Sequence, residues 1–580
     1  MVADLDNSPS GDKIDPFSLE LFSGQRKPSV IGSGSLGGKA QGLVGISKHL
    51  SEHFHADQFP DIDLSIPSMA VILSDVFDTF MRQNKVSTEM LLEQSDERIA
   101  HAFQTFDLPF GILGDLKAII DQVQHPLAVR SSSILEDALE SPFAGIYATK
   151  MIPNNESDTD SRFRKLTEAI KFVYASTFFK AAKDYRKAIG QGLLDEKMAV
   201  IIQEVVGKPH FERYYPDISG VARSFNYYPP AHSKPEDGIV NLALGLGKAI
   251  VDGEPSWWFT PKAPRANPPF LDVGEWLKQT QNKFWSVNLG KLPAYDPIDE
   301  AEYLIQCGLK EAEYDDTLSS IVSTYDPGND RINVGLGQVG PRMITFAPIL
   351  VYNQFPLSEF VKTLLNHCRD ALSSPVEIEF AITLHPTRFR LLQVRPLLAS
   401  DNEISIDDNE FSGEEVLLAS DRVLGNGESR TIDHVVFVKP ESFEAKFTPQ
   451  IAREIETINA KAIESGTPYL LVGFGRWGSS DPWLGTPVTW GQISQAKVIV
   501  ESTLPEMDKE FSQGSHFFHN ITSFGVSYFS IRHSDDHGLD WEWLDRQICV
   551  SETDFVKHVR LEKPLMVKVD GRSGRGVISK

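Results

Sequence analysis

Short apolar runs separated by polar, glycine-containing stretches recur along the first 400 positions and predict a series of buried strands. Val30-Ile31 leads into a glycine loop and a helix start, and Met69–Leu73 reads as the next apolar strand. Leu127-Ala-Val129 delivers Arg130 into a serine cluster, and Met198–Val206 is apolar along most of its length, as a buried strand requires. From about 28 to 150 short strands and helices alternate, as in an α/β lobe, and residues 160–190 are rich in helix formers. At Pro375–Ile382 acidic and apolar residues alternate with the period of two of a strand, and Phe389–Pro396 is its expected hairpin partner. Residues 255–330, rich in Pro, Trp and Asp, read as loop. An acidic run at 401–410 marks a boundary, and no internal repeat is visible. The chain divides into a polar lead-in (1–27), a large α/β domain (28–400), a linker (401–412) and a smaller domain (413–580).

Three of these elements carry chemistry. Arg130 at a strand end, followed by serines, the acidic pair Glu136-Asp137 and Phe143-Ala-Gly145, suits a phosphate site. In Gly32-Ser-Gly-Ser-Leu-Gly-Gly-Lys39, glycines admit close approach of phosphate and Lys39 adds a mobile cation. Gly32, Gly34 and Gly37 satisfy a dinucleotide pattern, but no strand-end acid follows at the required distance. A P-loop is excluded because Ser33 and Ala40 break its pattern. On the hairpin, Glu377, Glu379 and Gln393 face one side and suit Mg²⁺ shared with phosphate oxygens. In the last third, Gly473-Phe-Gly-Arg-Trp-Gly478 could form an anion loop at Arg476, or a turn around a packed Trp. His516 and His519 with His533, Asp535, Asp536 and His537 offer either a metal site or an ordinary packed segment.

Together the motifs resemble the phosphoenolpyruvate synthase and pyruvate phosphate dikinase family. The match rests on Val129-Arg-Ser-Ser132 with Glu136-Asp137 and Ser141-Pro-Phe-Ala-Gly145, on Gly37-Gly-Lys39 with Leu43, and on Glu377-Ile-Glu379 with Leu392-Gln-Val-Arg-Pro396. The resemblance implies an ATP-grasp-like domain of two lobes, followed by a smaller swivelling-type β/α domain. It implies that Lys39, Arg130 and Arg395 hold phosphates, that Glu379 and Gln393 bind Mg²⁺, and that backbone near Gln203 and Glu204 recognises adenine. Glu377 stands where the family usually has Asp, and Lys248 stands where Glu generally follows Gly-Leu-Gly. In the C-terminal part, Ser515-His516 and Phe524-Gly-Val526 resemble the family's phosphohistidine motif. His516 is then the expected phosphoryl carrier, although Phe517 and Phe518 replace the motif's alanines.

Bulk properties narrow the reading. The 580 residues exceed a single core, and 41% hydrophobic with 23% charged residues is ordinary for a globular protein. A net charge of -24 argues against nucleic acid or an anionic membrane as partner. Three scattered cysteines, a polar N-terminus and no apolar run of roughly 18–20 residues fit a cytoplasmic protein. The expected activity is ATP-dependent, AMP-forming phosphotransfer through a histidine to an unidentified small-molecule or protein acceptor. The chain stops at Lys580 without the family's pyruvate-binding barrel. The alternatives are a non-catalytic ATP sensor or scaffold, and an ADP-forming ATP-grasp enzyme. Oligomeric state is not readable.

Overall fold

A computed structural model describes residues 28–136, 145–188, 192, 196–226, 233–266, 273, 276–277, 280–397, 404, 406–413, 415–479, 483, 485–505, 526–535, 538–571 and 573–580. The chain is mixed α/β. Its first sheet runs in the order Ser29–Ile31, Met69–Ile72, Met198–Glu204, Leu127–Ser133, Thr149–Ile152. Only the first pair is parallel. The apolar runs are continuous because both faces are covered. Ala70, Ile72, Val129, Val200 and Ile202 pack with residues of helices Phe110–Gln122 and Thr159–Ser176, whereas Met69, Val71, Ala199 and Ile201 join a second core.

That second core belongs to a six-stranded sheet ordered Trp257–Phe259, Ile239–Ala243, Ile218–Arg223, Val376–Thr383, Arg388–Pro396, Asp63–Ser65. Helix Gly38–His53 contributes Ala40, Leu43, Ile46 and Leu50 to it. Asp63–Ser65 pairs in parallel with Arg388–Arg390, so the chain visits the second sheet before returning to the first at Met69. The expected hairpin forms, with Glu377 opposite Arg395 and Glu379 opposite Gln393.

The loop expectation for 255–330 is overturned. Strands occupy Trp257–Phe259, Lys283–Asn288, Leu304–Gly308 and Val322–Asp326, with a helix at Leu309–Tyr314. These strands are brief and the buried positions within them irregular, so no clean period reaches the sequence.

The C-terminal part is a second β/α region. Its sheet runs Val416–Ser420, Arg575–Ser579, Val556–Asp570, Gly427–Val438, Tyr469–Phe474, Ala496–Ser502, Ser527–Ile531, Val423–Leu424. The two end strands follow one another in sequence, and Ser530 N–H donates to the Arg422 carbonyl between them, so the sheet curls into a barrel. Parallel strands Gly427–Val438 and Tyr469–Phe474 are joined through helix Thr448–Ser465. The barrel is seated on the first lobe: Lys180 pairs with Glu456 at 2.6 Å, and Gln492 donates to the same carboxylate. One contiguous apolar core includes Phe178 and Tyr185 on one side and Ile455, Trp490 and Ile493 on the other. Among the described residues no helix is long and apolar enough to cross a membrane.

Candidate functional site

A cleft of about 420 Å³ between the two larger sheets of the first domain is lined by Arg130, Gln203, Glu204, Glu379, Gln393 and Arg395 from their strands and by Lys39 and Lys248 from helices. Arg130 spans it. The guanidinium leaves the first sheet and donates to Gln393 Oε1 at 2.8 Å and the Leu392 carbonyl at 3.0 Å, both on the second. It also reaches Gln203 Oε1 at 3.3 Å and lies 3.8 Å from Glu379. The acceptor at Leu392 exists because the hairpin bulges there: Glu379 pairs with Gln393 and Phe380 with Leu391, leaving Leu392 unopposed.

Lys39 is not the mobile cation that the glycine loop predicts. Its ammonium donates to Glu136 Oε1 at 2.6 Å and Ser131 Oγ at 3.2 Å, and Glu136 is itself held by the Ser133 N–H. The glycines also serve a different approach. A Cβ on Gly37 would lie 1.7 Å from the Ser132 carbonyl oxygen, and one on Gly38 equally close to that of Glu136. The loop therefore presses on the strand carrying Arg130, placing Lys39 beside it.

Glu377 points away from the metal role expected of it. It is 2% exposed, does not line the cleft, and accepts from Arg223 Nε at 2.5 Å and Arg395 Nε at 2.8 Å. Its work is to hold Arg395 at the cleft wall. Glu379 and Gln393, directly opposite each other, do present oxygen donors there. Two such donors fit Mg²⁺, which keeps most of its shell for water and phosphate.

Away from these charges, Ala128, Val205 and Leu246 cluster with Met151 and Leu304, making an apolar end to the cleft. Gln203 and Glu204 lie at the end of the strand that borders it, and burial raises the Glu204 carboxyl. None of the five apolar residues stood out in the sequence, since lone apolar positions look like core; Leu304 also lies in the stretch read as loop. Glu300, whose carboxylate accepts from the Thr149 N–H at the cleft, was missed for the same reason. A second cavity of about 220 Å³ lies beside Trp257 and Trp276.

Behind Ser133 sits a buried carboxyl, Glu196, hydrogen-bonded to that serine. Burial pushes it up from 4.5 to about 7, against the pull of Arg186. The folded chain thus keeps a proton that the unfolded chain loses, so stability falls as pH rises from 4.5 to 7. In Glu196→Gln this part of the slope should vanish, a difference of about 3 kcal/mol between pH 4.5 and 8 in urea titrations. Parallel slopes for the two proteins would refute it.

In the barrel, Trp477 is buried, its Nε1 donates to the Val500 carbonyl, and its ring covers Gly473. Arg476 lies outside the cleft and donates to the Gly253 carbonyl at 3.4 Å. Gly253 follows Lys248–Val251, the helical turn at the cleft. His516, with Phe517, Phe518 and His519, falls outside the described residues, as do Asp536 and His537. Asp535 is bound to Arg422, and no group of three or more potential metal-binding His, Cys, Asp or Glu occurs among the described residues.

The family model for the pyruvate phosphate dikinase AMP/ATP-binding domain matches residues 33–412. No curated protein matches the chain.

Proposed function

Because the chain belongs to the pyruvate phosphate dikinase AMP/ATP-binding family, we propose that it transfers one phosphoryl group of ATP through His516 to a separate acceptor, forming AMP and releasing the other phosphoryl group to water as phosphate. The observation that carries this reading is the convergence of Lys39, Arg130, Arg395, Glu379 and Gln393 on one cleft beside an apolar end. Adenine occupies the apolar end, with the backbone at Gln203 and Glu204 along its edge. The triphosphate lies against Arg130, whose fork of donors suits phosphate oxygens. Lys39 and Arg395, held by Glu136 and Glu377, neutralise charge without reorganising, which is where such catalysis gains most. Glu379 and Gln393 would hold Mg²⁺, which supplies further charge neutralisation on the phosphates.

Imidazole suits the carrier role because it is both nucleophile and leaving group near neutral pH. The strand before the His516 segment ends at Ser502, level with Phe474 on its parallel neighbour. Arg476 reaches toward Gly253 from that same edge. That end of the barrel sheet therefore faces the Lys248–Val251 turn. The seating of the barrel on the first lobe favours a second reading, a sensor in which ATP binding is reported through that contact without chemistry.

Incubation with β- and γ-labelled ATP and Mg²⁺ separates the two. The transferase should release AMP and carry acid-labile label on the wild-type chain and none on His516→Ala. ATP binding with neither AMP nor label would reject the carrier in favour of the sensor, and ADP without label would indicate ordinary ATP-grasp chemistry.

A further inference from the structure

Among the described residues four cations line the cleft, and they differ in how firmly they are held. Arg395 and its partner Glu377 are each 2% exposed, and Lys39 is clamped by a buried Glu136. Arg130 is committed to Gln393 and Leu392. Lys248 is different. Its side chain is 33% exposed and its ion pair is with Asp252, 31% exposed, at 2.8 Å. A pair this open to solvent is held more weakly than the buried ones and can exchange for a more highly charged anion.

Lys248 is nonetheless positioned. Its ammonium lies 5.6 Å from the centroid of the Trp285 ring, and that ring is pinned by its own Nε1 donating to Glu254 at 3.1 Å. The turn before it is set by Gly245, in a left-handed conformation where a Cβ would lie 2.6 Å from the Trp285 carbonyl oxygen. Burial alone would lower the lysine's pKa, but Asp252, Glu300 and Glu254 outweigh it and keep the ammonium charged.

We propose that Lys248 binds the phosphates of ATP directly and gives the cleft an affinity for the triphosphate that needs no divalent cation. The inference rests on the cleft being the ATP site. A carboxylate at this position could approach phosphate only with a cation between them. A lysine makes the contact itself, leaving Glu379 and Gln393 as the cleft's metal-facing pair.

Calorimetric titration of the full chain with ATP, and with AMP as control, in EDTA and in Mg²⁺ tests this. The wild type should bind ATP in EDTA. Lys248→Met should weaken that binding about tenfold, with a smaller loss in Mg²⁺ and none for AMP, while Lys248→Arg stays near wild type. Equal ATP affinity of wild type and Lys248→Met in EDTA would overturn the proposal. So would a wild type that binds only with Mg²⁺, or a Lys248→Met loss that is equal for AMP. No ATP binding by the wild type in either buffer would overturn the ATP-site reading itself.

Discussion

Arg130→Ala is expected to lower ATP affinity about a hundredfold, corresponding to about 3 kcal/mol for truncating one partner in a desolvated charged network. The side chain joins the two sheets across the cleft. It donates to Gln393 and to the unopposed Leu392 carbonyl and stands beside Glu379. Its removal takes away the charge at the proposed phosphate site and also releases Gln393 and Glu379, the pair proposed to hold Mg²⁺. Arg130→Lys should recover only part of the loss, because a single ammonium cannot serve both the bulge and the phosphates. Calorimetry with ATP and AMP measures the effect, and AMP should be far less affected. An Arg130→Ala affinity within a few-fold of wild type would remove this residue from the site.

Glu377→Ala should act on a different quantity. Glu377 accepts from two arginines in a setting closed to solvent, so its loss removes the buried carboxylate to which both Arg223 and Arg395 donate. Breaking a buried pair in this way costs about 3–5 kcal/mol. The unfolding midpoint should therefore drop sharply, while the Mg²⁺ requirement of the remaining folded protein stays near that of wild type. Glu379→Gln should show the reverse, a small change in stability and a raised Mg²⁺ requirement. Were Glu377 a metal ligand, the two variants would behave alike, which denaturation and Mg²⁺ titration on the same samples would reveal.

The cleft was largely legible in the sequence because its charged residues sit in local motifs: Arg130 before serines, Lys39 after paired glycines, Glu379 and Gln393 on opposed strands. Register made the hairpin readable, since alternation with a period of two fixes which residues share a face. Partners distant in sequence were not readable. Nothing near Lys39 announces Glu136 as its clamp, and nothing near Glu377 announces Arg223; both pairings arise from packing. The strands between 257 and 326 escaped for a related reason: they are brief, and tertiary contacts rather than a local period hold them. Lys248 stood out only as a departure from a family pattern, and its place over Trp285 required the fold.

The apolar core shared by the first lobe and the barrel has a consequence for how the molecule comes apart. Phe178 and Tyr185 are covered in common with Ile455, Trp490 and Ile493, so separating the two sides opens this seam although the barrel keeps a second core of its own. The family match ends at residue 412, but this shared core continues beyond it. A fragment cut there would expose part of that interior and tend to self-associate. Any swing of the barrel away from the first lobe therefore has to wet those side chains, which the reach of the linker alone does not provide for.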